Sequence, residues 1–253
     1  MINKHSLIFK VADLLIQFYC KSEDDATFLK DKYANFLVKR SNSAQLAGRV
    51  FFDKERSKEI QIKEDDIYIS HLPLSKEFGK FNIFFEIAMM PILGRNNGFI
   101  LHASSLVKNG LGYIFTGKED RGKSTIIKLF SELVCLGDDT AIIRKVDNHF
   151  FLFSSPFYQR NYKPEKNLKV LVRTIFALTE IADFNLVKPL FFPDDFKALL
   201  SNAYISEMDT EDKEKELLAR NCYEFCLKNK IFSLSFKKNR SFWPLLEKII
   251  QEC

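Results

Sequence analysis

The sequence predicts an α/β fold with a mixed sheet, preceded by a small α+β unit. Short strand patterns and a helical pattern alternate within the first hundred residues. Seven of the nine glycines lie between Gly94 and Gly137, so most of the permissive backbone is concentrated there. Within this stretch Asn109 and Gly110 separate two apolar runs, which is a hairpin signal. We place the boundary between the two units at residue 97, which gives units 1–97 and 98–253.

The first unit opens on strands and a helix. Residues 6–19 alternate between apolar and polar side chains, which predicts one or two strands. Residues 24–39 have the apolar spacing of a helix, and we expect Asp24 or Asp25 to be its N-cap. These elements describe a unit that mixes both kinds of secondary structure.

The rest of the first unit continues this pattern. Short strands are expected at 49–53 and, as a pair joined by a tight acidic turn, within 58–63 and 66–71. An apolar helix then runs from Lys80 to Leu93, and we expect Pro91 to end or kink it. The glycine-rich part of the chain follows directly.

The second unit begins with the two apolar strands around the Asn109–Gly110 turn, which should be antiparallel neighbours. A glycine loop then opens a helix, and a short strand at 134–137 ends beside two aspartates. Residues 141–155 form another expected hairpin, and Lys169 to Leu178 is apolar and β-branched enough for a buried strand. The remaining expected elements are a helix from about Glu211 to Asn229, a strand at 231–236 and a helix from Ser241 to Gln251.

The composition argues against several classes of protein. The chain has 253 residues, of which 46% are hydrophobic, so it can bury a full core. The net charge of +5 is too small and too dispersed to indicate a nucleic-acid partner. The apolar runs are too short to span a bilayer, and the first residues lack the features of a secretory leader. We therefore expect a cytoplasmic protein without a membrane partner.

The cysteines and one run of basic residues are interpreted as structural features. Five scattered cysteines lack the paired spacing of zinc sites, and Cys222 and Cys226, one helical turn apart, are expected to pack together. The basic run from Arg160 to Arg173 is typical of a solvated loop edge. The alternative, that this run approaches a phosphate or an acidic peptide, stays open.

The strongest motif is the glycine loop GKEDRGKS, Gly117 to Ser124, which fits G-x-x-x-x-G-K-[ST] between a strand and a helix. Its glycines let successive N–H groups and the helix N-terminus point at phosphate oxygens. Lys123 would bring a positive charge to the β- and γ-phosphates, and the Ser124 hydroxyl would ligate Mg²⁺. The residues expected to contact a nucleotide are Gly117, Asp120, Arg121, Gly122, Lys123, Ser124 and Thr125.

Two aspartates are expected to lie beside this loop. Asp138 and Asp139 follow Lys123 by the length of one helix and the next strand. Carboxylates at that place can hold Mg²⁺ and accept the proton of an attacking hydroxyl, whereas the structural alternative is an Asp-Asp turn between strands. His102 lies in the preceding strand, where a lone histidine is usually a packed core residue.

These residues together resemble a known family. The segment LHASSLVKNGLGYIFTGKEDRGKST, followed by LGDDTAIIR, resembles the C-terminal catalytic domain of HPr kinase/phosphorylase over roughly residues 98–160. The resemblance implies a phosphate-loop core like that of phosphoenolpyruvate carboxykinase and an ATP- and Mg²⁺-dependent serine kinase. It implies that Asp138 takes the acceptor proton. Asp139, His102 and Ser124 would then support phosphate and metal.

The chain also departs from this family. The family carries Asp after the first loop glycine, a glycine within the loop and Glu after the loop serine, where this chain has Lys118, Asp120 and Thr125. The Arg-Gly-rich signature that serves the phosphorylase reaction is missing. These departures indicate an acceptor other than HPr, and we expect a peptide or protein tailored after translation, as in compact peptide-modifying relatives.

Two other functions are kept as alternatives. One is a nucleotide-binding module that recognises a precursor peptide or a partner enzyme without phosphoryl transfer, which Lys118 favours. The other is an ATPase that drives a conformational change, which the lack of a separate mechanical domain disfavours. A homo-oligomer stays open.

Overall fold

The computed structural model describes residues 5–39, 45–53, 60–63, 66–70, 78–157, 166–204 and 212–252. Within these residues the chain forms two mixed sheets and six α-helices, so the expected α/β class with a mixed sheet is confirmed. The first sheet uses strands that precede Gly98, and the second uses strands from Gly98 onward. The division into two domains at residue 97 stays a prediction.

The first sheet has six strands in the order β3-β1-β2-β4-β6-β5. The pairs β1–β2, β1–β3 and β5–β6 are antiparallel, whereas β4 runs parallel to both of its neighbours. The turn between β1 and β2 places Ala12 and Asp13 at positive φ, so the first expected segment is two strands. The strands are β1 (His5–Val11), β2 (Leu14–Cys20), β3 (Leu37–Val38), β4 (Gly48–Asp53), β5 (Ile60–Lys63) and β6 (Asp66–Ser70).

The first helix, α1 (Glu23–Lys32), corrects two predictions. Its N-cap is Ser22, whose hydroxyl accepts a hydrogen bond of 3.1 Å from the Asp25 N–H, so neither Asp24 nor Asp25 is the cap. The aspartates lie in the first turn, where their charge complements the helix dipole. The helix is also shorter than predicted, because Leu37 and Val38 pair with β1 instead.

Helix α2 (Phe78–Arg95) packs against the first sheet. Its Phe85 ring lies edge-on to Phe18 of β2 at 4.9 Å, and Phe81 belongs to the same aromatic core. The helix continues through Pro91 to Arg95, so Pro91 does not end it, and the alternative that Pro91 kinks the helix stays a prediction. Proline removes a single N–H donor, and burial of the apolar side chains on both sides of Pro91 holds the helix together.

The second sheet has eight strands in the order β11-β10-β7-β8-β12-β14-β13, and β9 also pairs with β7. Because β11 pairs with β12 as well, the strands β10, β7, β8, β12 and β11 close a ring. The strands are β7 (Gly98–Lys108), β8 (Leu111–Thr116), β9 (Val134–Gly137), β10 (Thr140–Val146), β11 (His149–Phe153), β12 (Lys169–Ile181), β13 (Leu186–Leu190) and β14 (Ile231–Phe236).

The strand before the glycine loop has the expected neighbours. Strands β7 and β8 are antiparallel across a turn with Asn109 and Gly110 at positive φ, which confirms the hairpin prediction. On its other side β8 pairs with β12 in parallel, and β12 pairs with β14 in parallel. The carboxyl ends of β8, β12 and β14 therefore meet at one edge of the sheet, where ligands of α/β proteins usually bind.

Four helices accompany this sheet: α3 (Lys123–Leu129), α4 (Asp194–Leu200), α5 (Asp212–Lys228) and α6 (Phe242–Glu252). Helices α5 and α6 confirm the two helices expected near the end of the sequence. Helix α4 and strand β13 were not predicted, and Pro189 in β13 is tolerated because β13 lies at the sheet edge. In the part of the chain that is described, every helix is too short or too polar to cross a bilayer.

Candidate nucleotide site

The loop between β8 and α3 adopts a conformation that depends on glycine. Gly122 has φ +101°, and Asp120 also lies at positive φ. A Cβ on Gly122 would lie 2.7 Å from the Phe236 ring and 3.2 Å from Ile181, so the loop runs close to the ends of β14 and β12. The backbone therefore turns tightly into α3, and the Lys123 and Ser124 that begin α3 are presented at the sheet edge.

Lys123 lies against the loop rather than in solvent. Its Nζ donates hydrogen bonds of 2.6 Å to the Gly117 carbonyl and 3.0 Å to the Lys118 carbonyl, and the residue is 7% exposed. Burial lowers the pKa of Lys123, while the negative charges of Asp139, Glu119 and Asp120 oppose that shift. The ammonium group is thus held at the loop by carbonyl dipoles, which a more strongly charged acceptor can replace.

A cleft of about 610 Å³ lies at this edge of the sheet. Sites for small molecules usually measure roughly 300–1,000 Å³, so the cleft has room for a nucleotide. The expected residues that line it are His102, Asp120, Gly122, Lys123, Ser124, Thr125 and Asp139. Three lining residues were not predicted, namely Glu119, Ile181 and Lys238.

The cleft distinguishes the two aspartates. Asp139 is among its lining residues, whereas Asp138, Gly117 and Arg121 are not, although all three are described and close in sequence to residues that are. The functional roles of all four residues stay predictions. Of the two adjacent aspartates, Asp139 is therefore the one that a molecule in the cleft would meet.

His102 is joined to Asp139 inside the cleft. Its Nδ1 lies 3.4 Å from Asp139 Oδ1, and the Ala103 N–H donates to the Asp139 carbonyl at 3.0 Å. Burial lowers the pKa of His102, and nearby Lys123 lowers it further, while Asp139 raises it. With its pKa below the ordinary 6.5, the imidazole is neutral at pH 7 and can accept or donate a proton.

Oxygen donors suited to Mg²⁺ are present in the cleft. The Ser124 residue at the start of α3 and the Asp139 carboxylate both line it. In the described residues no group of three or more His, Cys, Asp or Glu side chains could hold a metal ion. Mg²⁺ is often held by one or two protein oxygens together with the substrate phosphates, so Ser124 and Asp139 fit that kind of site.

The turn that carries the aspartates is very tight. A Cβ on Gly137 would lie 2.0 Å from the Thr140 carbonyl oxygen, a distance that no side chain can occupy. The backbone from Gly137 to Thr140 must therefore shift if Gly137 acquires a side chain.

We expect Gly137→Ala to displace both aspartates and to lower the free energy of unfolding by about 1–3 kcal/mol. Urea denaturation would measure this effect. The matched control is Gly79→Ala in α2, where nothing lies within 4 Å of the added methyl group. Equal stability of the two variants would show that the Gly137 turn is not needed.

Glu86 of α2 reaches the strand that follows the aspartates. Its Oε1 accepts a hydrogen bond of 2.7 Å from the Thr140 hydroxyl. Burial raises the pKa of Glu86 from its ordinary 4.5 to about 7, and Asp139 adds to that rise, while the Thr140 hydrogen bond lowers it. The carboxyl therefore binds a proton in the folded state at pH values where the unfolded chain has lost it.

This raised pKa predicts a pH dependence of stability. Between about pH 4.5 and 7 the folded state holds more protons than the unfolded state, so the free energy of unfolding should fall as the pH rises. The decrease should be up to about 3 kcal/mol. Glu86→Gln cannot ionise, so the difference between wild type and this variant should change across that range, with the variant more stable at pH 8. Urea denaturation at pH 5 and 8 measures it, and parallel profiles would refute the assignment.

Residues of the basic run and two of the cysteines lie outside the cleft. Lys169 pairs with Asp13 at 2.8 Å and lies over the Phe151 ring, and Arg173 donates to the Ile250 carbonyl at 3.1 Å. Lys169 and Arg173 both belong to β12, so this end of the basic run is part of a strand and not the predicted loop edge. Residues 160–165 of the run lie outside the described ones. Cys222 and Cys226 are free thiols on α5, as expected for packing residues.

Similarity to known proteins is found at the level of structure. No protein-family model matches the chain, and no curated protein matches it. Among solved structures, the HPr(Ser) kinase/phosphatase from Coxiella burnetii is similar over 60% of this chain and 88% of that chain, with 11% sequence identity and a TM-score of 0.29. A likeness of this size carries no argument about function, so the proposals below rest on the site itself.

Proposed function

We propose that this protein is an ATP- and Mg²⁺-dependent phosphotransferase that moves the γ-phosphoryl group to a hydroxyl of a peptide or protein. The observation that carries the proposal is that the glycine loop, Lys123 and the His102–Asp139 pair border the same cleft. A phosphate-binding group and an acid–base pair at one site are the parts that phosphoryl transfer needs.

The residues of the loop would hold the triphosphate. Backbone N–H groups at the start of α3 favour anionic phosphate, and Lys123 would exchange its two carbonyl acceptors for phosphate oxygens. Ser124 and Asp139 would hold Mg²⁺, which when bound offsets negative charge on the phosphate oxygens. These interactions would position the γ-phosphoryl group within the cleft.

The acceptor hydroxyl must lose a proton as it attacks. The family resemblance assigns that proton to Asp138, and we keep this assignment as part of the proposal. His102 and Asp139, which face the cleft, would support the reacting phosphate and the metal. A serine is the acceptor that we favour, in a peptide modified after translation.

One observation favours a second candidate function. Asp138 is described but is not among the residues that line the cleft, so a module that binds nucleotide without transferring phosphate also fits the geometry. Such a module would recognise a precursor peptide or a partner enzyme. The two functions differ in one outcome, which is whether phosphate reaches an acceptor.

The test is transfer of label from [γ-³²P]ATP to peptides encoded beside the gene, followed by mass spectrometry of the labelled residue. The proposal predicts one phosphate on Ser or Thr, and no label when [α-³²P]ATP is used. Tight nucleotide binding without any labelled hydroxyl would replace the kinase with the binding module.

A further inference from the structure

A second lysine faces the cleft from the side opposite His102. Strand β8 lies between β7, which carries His102, and β12, and β14 lies beyond β12. Lys238 comes two residues after the end of β14 and lines the cleft together with Ile181 from the end of β12. The cleft is therefore bordered by the His102–Asp139 pair on one side of the glycine loop and by Lys238 on the other.

The charges that line the cleft give Lys238 a role in holding an anion. Among the described residues that line the cleft there are three carboxylates and two ammonium groups, from Glu119, Asp120, Asp139, Lys123 and Lys238. Without Lys238 the carboxylates would outnumber the ammonium groups three to one, and their charges would repel a triphosphate. The second ammonium group reduces this repulsion at the place where the loop would hold the phosphates.

The backbone that carries Lys238 is held by Asn185, which lies between β12 and β13. The Lys237 N–H donates to Asn185 Oδ1 at 2.8 Å, and Asn185 Nδ2 donates to the Ser241 hydroxyl at 2.9 Å. Within the segment, the Asn239 N–H donates to the Lys237 carbonyl at 2.7 Å. Residues 237–241, which we call the Asn185 turn, are therefore fixed at both ends beside the cleft.

The Lys238 side chain is exposed and is available to a ligand. In the part of the chain that the structure describes, its ammonium group takes part in no hydrogen bond or ion pair. Lys123, by contrast, donates to two loop carbonyls, and Arg240 of the Asn185 turn pairs with Glu132 at 2.8 Å. Lys238 can therefore bind an anion in the cleft without giving up a contact that the structure shows.

We propose that Lys238 is a second phosphate-binding residue of the cleft, which the Asn185 turn holds on the side opposite His102 and Asp139. An ammonium group binds phosphate oxygens through charge-assisted hydrogen bonds. The identity of the ligand, Mg-ATP, rests on the proposed function. Both candidate functions bind nucleotide, so the role of Lys238 is one of binding and needs no phosphoryl transfer.

The first test compares the affinities of Lys238→Met and Lys238→Arg for Mg-ATP by isothermal calorimetry. Methionine keeps an unbranched apolar side chain and removes the charge, whereas arginine keeps the charge. Lys238→Met should weaken binding roughly 10- to 100-fold, the effect of one hydrogen bond to a charged group, and Lys238→Arg should stay within about threefold of wild type. Unweakened binding in Lys238→Met, or equal weakening in Lys238→Arg, would overturn the proposal.

The matched control is Lys237→Met, which removes the same charge from the adjacent residue. The Lys237 side chain is exposed and is not among those that line the cleft. Its variant should bind Mg-ATP within about twofold of wild type, because exposed charges are screened. Equal weakening in the two methionine variants would assign the effect to the general charge of the turn and overturn the proposal.

A double-mutant cycle tests the role of the turn. Asn185→Ala should weaken Mg-ATP binding roughly three- to tenfold, the effect of one neutral hydrogen bond, because the two ends of the turn are no longer joined. In the Lys238→Met background it should have no further effect, since the residue that the turn positions has lost its charge. An equal effect in both backgrounds, or none in either, would show that the turn does not position Lys238.

These measurements separate the two levels of the argument. A wild type that does not bind Mg-ATP would end the proposed function and the role of Lys238 with it. Tight binding by wild type together with unchanged binding by Lys238→Met would end the role of Lys238 alone.

Discussion

Lys123→Ala is expected to lower the affinity for Mg-ATP by on the order of 10²–10⁴-fold. In the structure the Lys123 ammonium makes two hydrogen bonds to loop carbonyls, so it can make two comparable bonds to phosphate oxygens. Hydrogen bonds to charged groups contribute about 1.5–3 kcal/mol each, which gives the expected range. Isothermal calorimetry with Mg-ATP measures the change.

The control for this prediction is Lys118→Ala. This substitution removes the same positive charge from the same loop. The Lys118 side chain is exposed, however, and is not among those that line the cleft. We expect its affinity to stay within a few-fold of wild type, because exposed charges contribute little. If the two alanine variants bind equally well, general loop charge rather than Lys123 is responsible for any binding.

The second large effect concerns the two aspartates. Asp138→Asn should fold and bind Mg-ATP normally yet lose phosphoryl transfer by about 10²–10⁴-fold, as expected when a general base is removed. Asp139→Asn should instead raise the Mg²⁺ concentration needed for half-maximal turnover, because its carboxylate faces the cleft beside Ser124. The two effects can be separated by measuring phosphoryl transfer to the acceptor peptide in a single turnover over a range of Mg²⁺ concentrations.

One result would contradict the roles that we expect for the two aspartates. If Asp138→Asn transfers phosphate as fast as wild type, Asp138 is not the base. Loss of transfer in Asp139→Asn at saturating Mg²⁺, with nucleotide still bound, would then give that role to Asp139. The cleft geometry makes this exchange of roles chemically feasible, since His102 lies 3.4 Å from the Asp139 carboxylate.

Local signals predicted the second sheet well. The Asn109–Gly110 turn marked β7 and β8, and both residues have the positive φ that such a turn requires. The hairpin predicted within residues 141–155 is also confirmed, because β10 and β11 are antiparallel and their turn places Asp147 and Asn148 at positive φ. Where a turn depends on a few adjacent residues, sequence alone specifies it.

Longer-range features could not be predicted from such signals. Strand β3 lies where helical spacing continued, because pairing with β1 outweighs local preference. The closure of the second sheet depends on β11 pairing with β12, although residues 154–168 separate the two strands in sequence. The sequence patterns of β3 and β11 do not indicate which strands they pair with.

The same limit applies to the site. The proximity of the loop to the aspartates could be predicted because one helix and one strand separate them in sequence. Ile181 and Lys238 line the cleft because β12 and β14 run parallel to β8 and end at the same edge, which requires the strand order. Tyr204 and Glu86 reach His102 and Thr140 from other parts of the chain, and no local motif marks either of them.

We propose that the Gly117–Ser124 loop binds the phosphates of Mg-ATP in the cleft beside Asp139. The most direct measurement is a crystal structure of the protein with Mg²⁺ and a non-hydrolysable ATP analogue. We predict that the triphosphate lies along the loop N–H groups, that Lys123 Nζ leaves the Gly117 and Lys118 carbonyls for phosphate oxygens, and that Ser124 and Asp139 lie at the metal. An analogue bound elsewhere, or a loop that stays empty with Lys123 unmoved at saturating analogue, would contradict the account.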